Sequence, residues 1–496
     1  MCKEGFDNAK YMETQSACIR ERIDQFGGKL YLEFGGKLFD DYHAARVLPG
    51  FKPDSKVSML LKLAGEAEIV IVINAHDIEK NKVRGDLGIT YDADVLRLID
   101  AFRDEGLYVG SVVLTRYAGQ PSADAFKSRL EMLGVKVYRH YPIEGYPSAI
   151  ERIVSGEGYG RNDYIETTHS LVVVTAPGPG SGKMAVCLSQ LYHDHLRGVK
   201  AGYAKFETFP VWNLPLTHPV NLAYEAATAD LSDVNMLDPF HLEAYGVRTV
   251  NYNRDVEIFP VVNAMFERIW GTSPYKSPTD MGVNMAGNCI FDDAAVRAAA
   301  NQEIIRRYYA AQCTFRQGII PGGEATVEKL KLIMGKAGLT ADARPVVAAA
   351  LEKEKETGQP AASLQLPDGT IVTGKTSLLM GPSAAVLLNA LKHLAGIADG
   401  HHLIAHSVIE PIQDLKINHL GNHNPRLHTD EILIALSICA VSDPDAERAM
   451  RVMNDLTGCE AHTSVILSQV DERVFRSLGV NITCEPKYQT RKLYHK

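Results

Sequence analysis

No apolar run in this 496-residue chain reaches the roughly 18 residues that a membrane-spanning helix needs. The opening stretch, MCKEGFDNAKYMETQ, holds no apolar signal core. Together these two absences predict a cytoplasmic protein with no membrane partner. Basic blocks are missing as well. Lys and Arg number 52 against 60 Asp and Glu, the formal net charge is −8, and no nucleic-acid partner is expected. The eight cysteines include no CxxC pair, which excludes a zinc ribbon and gives no sign of a disulfide framework; buried reduced thiols are expected. HExxH is absent, as is the HxE…PCxxC signature of the zinc deaminases. What remains is ordinary for a globular protein, with 46% apolar and 23% charged residues, and the length allows several domains with substantial cores.

The most informative stretch is Leu171 to Met184, LVVVTAPGPGSGKM. Val172, Val173 and Val174 form the short continuous apolar run of a strand buried on both faces. Gly178, Gly180 and Gly182 let the chain turn tightly and present bare N–H groups, and Ser181 lies among them. Lys183 follows as a cation at the start of a helix over Ala185–Leu196, whose positive end faces the same point. This is the pattern of an anion-binding turn. It departs from the P-loop of magnesium-dependent nucleotide hydrolases, because Pro177 occupies the place of the first glycine and Met184 that of the metal-binding hydroxyl.

Strands are expected at Ile69–Ile73, Val109–Leu114, Val135–Tyr138, Leu171–Thr175 and Ala201–Phe206, with helices such as Asp92–Asp104 and Ala123–Leu133 between them. Alternation at this spacing predicts an α/β fold with a doubly wound parallel sheet. YLEF, bracketed by two FGG turns, reads as a hairpin or as one more strand entering that sheet. Ligands of such sheets bind beyond the carboxyl ends of the strands. The groups found there are Asn74, His76, Asp77, Arg116, His140, the Gly178–Lys183 turn and Lys205. His76, Asp77, Arg116 and His140 are the candidates for orientation or proton transfer. Asp40, Asp41 and His43 read as a solvated turn.

From Lys205 to Pro260 the pattern loosens into a loop-rich segment. Asp230, Asp233 and Asp238 offer carboxylates without following an EF-hand, and Asp255 and Glu257 share a face if extended, as on a salt-bridged strand edge. Ser273–Asn288 has the composition of a connector. Two helices follow, one from Asp292 or Asp293 to about Cys313 and one over Glu324–Ala337, giving a small helical domain over 273–342 between an N-terminal domain (1–272) and a C-terminal α/β sandwich (343–496). Arg306, Arg307, Tyr308 and Tyr309 read as packing or interface residues.

In the last part, Ala343–Lys355 is helical and LQLPDGTIVTG reads as a hairpin turned by Asp368-Gly369. Gly369 and Gly374-Lys375-Thr376 match the P-loop string, but the four residues between them are strand formers and no helix follows directly, so the match is set aside. After a helix over Pro382–Ala395 come His401, His402, His406, His419, His423 and His428. The first three border or occupy a strand, LIAHSVIEP, and the others lie in a loop before a helix capped by Thr429. His406, His419, His423 and His428, with Asp414, Glu410 or Asp430, are candidate ligands for a divalent metal. A strand from His462 to Leu467, a helix over Asp471–Leu478 and a strand over Val480–Thr483 end the chain.

The stretches YLEFGGKLFDDYHAARVLPGF, NKVRGDLGITYD, TAPGPGSGKM, AGYAKFETFPVWNLPL, YEAATADL, NYNRDVE, SPTDMGVN and GCEAHTSVILSQVD closely resemble one bacterial protein family of unknown function, over nearly the whole chain. Some of its members carry the label ATP-dependent zinc peptidase. The resemblance implies an N-terminal α/β region, a helical part and a C-terminal α/β sandwich, and supplies no catalytic residues. The residues themselves lack the zincin helix and the complete P-loop that the label would need.

Three functions are thus expected in order. The first is an enzyme that binds a nucleotide or another phosphorylated small molecule at Gly178–Lys183. The second is a metal-dependent hydrolase built on the late histidines. The third is a non-catalytic homo-oligomeric scaffold or metabolite sensor using the helical arm.

Overall fold

The structure, a computed structural model, describes residues 3–84, 87–231, 233–319 and 323–489. They divide between two compact units, one comprising Glu4–Tyr224 and Asp233–Arg297, the other drawn chiefly from 298–489.

The first unit carries strands β1 (Leu30–Phe34), β2 (Ala67–Asn74), β3 (Val83–Arg84), β4 (Ile89–Thr90), β5 (Tyr108–Thr115), β6 (Lys136–Arg139), β7 (Leu171–Thr175), β8 (Gly202–Phe206), β9 (Asn235–Leu237), β10 (Val250–Tyr252) and β11 (Gly282–Val283). Seven of them form one sheet in the order β11-β8-β1-β7-β2-β5-β6, and every pairing in it is parallel. The remaining four make two small antiparallel hairpins, β3 with β4 and β9 with β10. All eight residues of β2, AEIVIVIN, are buried, as expected of a central parallel strand covered on both faces. On one face Tyr31, Val70, Val172, Val174 and Tyr203 pack against Val186, Leu188 and Leu191 of the helix Lys183–Leu196 and against Phe259, Val262 and Phe266 of the helix Asn253–Trp270. On the other face Phe34 and Phe206 stack at 4.0 Å between centroids.

The sheet is the α/β architecture that the alternation predicts, and YLEF is a strand at its centre rather than a hairpin. Ser273–Asn288 is more than a connector: it contains the helix Pro278–Met281 and the edge strand β11. A two-residue strand carries no periodicity to read. Asp255 and Glu257 lie not on an extended edge but in the first turns of the helix Asn253–Trp270, Asp255 buried and Glu257 exposed. Asp41 is likewise not in a solvated turn; it is buried, caps the helix Tyr42–Val47 and pairs with Lys56 at 2.6 Å.

The second unit carries β12 (Ala361–Gln365), β13 (Ile371–Lys375), β14 (Glu460–Thr463) and β15 (Asn481–Cys484) in the order β13-β12-β14-β15, antiparallel except for β14 with β15. Leu364, Val386, Leu387, Leu391, Ile432, Leu436 and Phe475 belong to its core. The Asp368-Gly369 hairpin forms as expected. Gly374 lies inside β13, where a Cβ would come within 2.3 Å of the Val386 nitrogen, so this glycine serves helix–strand packing. LIAHSVIEP is not a strand: His406–Asp414 is helical, with Val408, Ile409 and Ile412 at helical spacing on its inner side. The strand from His462 stops at Thr463. The helices Pro345–Thr357, Pro382–Leu394 and Gln469–Ser477 fall within two residues of their expected limits. No helix among the described residues is long and apolar enough to cross a membrane. The seven described cysteines are unpaired thiols, four of them buried.

Candidate functional site

The strand order reverses around β1 and β7. From β1 the chain passes over β7 to β2, whereas from β7 it passes over β1 to β8. Connections that leave neighbouring strands in opposite directions open a crevice at the carboxyl ends of those strands, where ligands of such sheets bind.

The glycine turn lies at this point. Gly180 and Gly182 hold φ of 73° and 95°, a region that favours glycine, and Gly182 is the N-cap of the helix Lys183–Leu196. Gly178 is required for another reason, because a Cβ there would approach the Tyr91 hydroxyl to 2.4 Å. The Thr115 hydroxyl at the end of β5 donates to the Ser181 carbonyl at 2.5 Å and ties the turn to the sheet. No side chain caps the helix, which leaves its first amides to a ligand or to water. Ser181 is 4% exposed, and its own hydroxyl has no hydrogen-bond partner. Lys183, half-buried at the first helical position, makes no hydrogen bond or ion pair with a described residue. Burial pushes its pKa below the ordinary lysine value; Glu33 opposes that shift and Lys205 adds to it.

Beside the turn lies a cluster of buried charges. β1 and β8 pair with Glu33 opposite Lys205, and β1 and β7 with Glu33 opposite Val174. These side chains therefore share the face under the helix Lys183–Leu196. The Lys205 ammonium meets Glu207 Oε1 at 2.8 Å and also bonds to Asp255 and to the Tyr252 hydroxyl. Tyr252 donates to Glu207 at 3.0 Å, and Tyr203 donates to Glu33 at 2.6 Å. Burial works against the charge of Lys205, but Asp255, Glu207 and Glu33 hold its pKa above the ordinary lysine range. Burial raises the Glu207 carboxyl to about 7, against the pull of Lys205 and with the push of Asp255. A carboxyl poised near neutrality can both give and take a proton.

The sequence-derived candidates fare unequally. The glycine turn and Lys205 fall in the crevice. Asn74 is buried and caps the helix Ala75–Glu79 through the His76 amide. His76 is exposed, and Asp77 stands 3.5 Å from Lys82. Arg116 is exposed with φ 51°; its charge lowers the pKa of the Tyr146 phenol, which burial and then Glu33 raise. His140 is buried, with Nε2 3.2 Å from the Asp163 carbonyl, and burial lowers its pKa to about 4, which favours the neutral imidazole. No hydrogen bond or ion pair joins any two of His76, Asp77, Arg116 and His140. Asp233 is taken up by Arg254, and Asp238 by the helix Pro239–Tyr245 and Thr279. Sequence reasoning missed Glu33, Glu207 and Tyr252. The available signals were one carboxylate interrupting the apolar run LYLEF, and a carboxylate two residues beyond Lys205, just past the end of its strand.

The four late histidines do not converge. His406, His419 and His423 are exposed, and His428 pairs with Asp471 at 3.1 Å. Among the described residues the group that could hold a metal ion is instead His401 with Asp443 and Asp445, exposed or half-buried.

Fold and crevice thus define a parallel α/β protein with a glycine-rich turn at a reversal of strand order. Residues 4–338 match the family described as "Domain of unknown function DUF1846, N-terminal", and residues 342–494 match its C-terminal counterpart. The chain belongs to this family. It is 59% identical over 496 residues to a UPF0371 protein of Streptococcus thermophilus, with both chains fully covered. A UPF0371 protein of Streptococcus pyogenes is 60% identical over 491 residues, 99% of each chain, and one of Streptococcus pneumoniae 59% over 496, again the whole of each. The names of these relatives assign no activity, and none carries the peptidase label.

Proposed function

We propose that the first unit binds a phosphorylated small molecule, a nucleotide among the possible classes, and acts on it enzymatically in the cytoplasm. Its phosphate would lie on the backbone of Gly178–Gly182 against the start of the helix Lys183–Leu196, with Lys183 as counter-charge. The observation that carries this reading is the unpartnered pair at the turn. Glu207 and Asp255 are both tied to Lys205, whereas the adjacent Lys183 ammonium and the buried Ser181 hydroxyl have no partner among the described residues. An oxyanion would complete both, and would restore the lysine pKa that burial depresses.

Glu207 supports the enzymatic part. It is a buried carboxyl near neutral pKa, held by Lys205 and Tyr252 beside the turn, and suits general acid–base transfer. Met184 in the usual place of a hydroxyl weighs against magnesium-dependent nucleotide hydrolysis.

The test is thermal unfolding against nucleotides, nucleotide sugars, phosphosugars and pyrophosphate. A ligand at roughly 100 times its Kd adds about 2.7 kcal/mol, a readily visible shift. The shift should appear with one phosphorylated class and disappear in Lys183→Ala. Unchanged affinity in that variant for every phosphorylated ligand would refute the reading.

A further inference from the structure

In the second unit three helices start at one small cavity. The helices Pro382–Leu394, Thr429–Cys439 and Gln469–Ser477 have Gly381, His428 and Ser468 as N-caps. All three caps line a space of about 70 Å³ together with Ser383, Arg426 and Asp471. Three positive helix ends bordering one cavity favour an anion there.

The side chains select among possible occupants. Asp471 is saturated. Its Oδ1 accepts from the Thr429 amide and hydroxyl, both at 2.9 Å, and its Oδ2 accepts from Ser468 at 2.7 Å and faces His428 at 3.1 Å. The hydrogen bond to Asp471 raises the His428 pKa and favours the imidazolium. Glu431 is likewise engaged, by the His428 amide and by Lys416, each at 2.7 Å. Arg426 gives its Nε to the Ser377 carbonyl at 2.8 Å, and its terminal nitrogens bond to no other described residue. The helix Pro382–Leu394 has no side-chain cap. Ser383, in its first turn, is 2% exposed, and its hydroxyl makes no hydrogen bond with another described residue. Ser383 lines the cavity next to Gly381, and a Cβ on that glycine would find its hydroxyl 3.9 Å away.

A serine-hydrolase relay does not fit. Ser468 and Asp471 approach the same ring nitrogen of His428, at 3.4 and 3.1 Å, whereas a relay needs them on opposite nitrogens.

We propose that this cavity binds a phosphate group, held by the Ser383 hydroxyl, the open amides of the helix Pro382–Leu394, Arg426 and His428. Two cationic side chains and uncapped amides match a dianion with several acceptor oxygens. Free phosphate and the phosphoryl end of a small ester present the same chemistry.

Amide hydrogen exchange on the full chain tests this, with inorganic phosphate in one arm and glycerol 3-phosphate in the other. Either ion should slow exchange at 383–384, 429–431 and 468–471; protection by the free ion alone identifies it as the occupant, and protection by the ester shows that the cavity admits a phosphoryl end. Arg426→Ala should weaken that protection about tenfold or more in apparent Kd, the scale of a lost charged hydrogen bond. Ser383→Ala should also weaken binding while leaving stability in phosphate-free buffer unchanged or raised. Lys183→Ala, in the other unit, should leave protection at these segments intact. Exchange there that ignores both ions, or protection that survives in both Arg426→Ala and Ser383→Ala, would overturn the proposal.

Discussion

Glu33 and Lys205 occupy the same rung of two adjacent parallel strands, at the end of the face covered by the helix that starts at Lys183. A carboxylate and an ammonium at one rung of a buried sheet are costly to desolvate, and are stable only because further partners complete each of them. Tyr203 completes Glu33, and Glu207, Asp255 and Tyr252 complete Lys205.

Lys205→Met should therefore destabilise strongly. It removes the one cation among the described residues that directly contacts Glu207 and Asp255, and leaves both buried carboxylates without it. A loss of about 3–5 kcal/mol in denaturant unfolding is expected, the range for removing one partner of a buried pair. A loss below about 1 kcal/mol would mean that the cluster is hydrated.

Glu207 gives a pH dependence of definite sign. Its folded pKa of about 7 lies above its ordinary value of 4.5, so between these values the folded state binds the proton more tightly. The contribution is full below about pH 4.5 and is lost as pH rises through 7. Glu207→Gln should flatten the fall in stability over that window by about 1–3 kcal/mol, measured by denaturant unfolding at a series of pH values.

Gly178→Ala tests the packing of the turn apart from its chemistry. The added methyl would come within 2.4 Å of the Tyr91 hydroxyl and 2.7 Å of its ring carbon. Overpacking of this kind costs about 1–3 kcal/mol. Truncating Tyr91 to Ala in the same chain should recover most of it, and a double-mutant cycle would show strong coupling.

Much of the fold was legible because central parallel strands announce themselves. β2 and β7 contain the unbroken apolar runs Ile69–Ile73 and Leu171–Val174, and the turn after β7 carries its glycines at the positions where the backbone needs them. β11 was not legible, because two residues, Gly282 and Val283, form a strand only by lying against Lys205 and Phe206. LIAHSVIEP misled through its β-branched residues, although Val408, Ile409 and Ile412 are also spaced for a helix. In the site, Lys205 and the glycine turn could be read from their position after strands. His140 occupies the same kind of position, yet its ring is buried against the Asp163 carbonyl, which only the tertiary structure decides. Asp255 reaches Lys205 across 50 residues of sequence, a distance over which no local pattern speaks.

The most direct test of the central claim is the affinity of a phosphorylated ligand for the wild type, Lys183→Ala and Ser181→Ala, read by ligand-dependent thermal unfolding. Neither substituted group bonds to another described residue, so both variants should fold with unchanged or slightly raised stability in ligand-free buffer. The ligand-induced shift should vanish in Lys183→Ala and correspond to about tenfold weaker binding in Ser181→Ala. Equal shifts in all three proteins would contradict the assignment of the Gly178–Lys183 turn as the phosphate site.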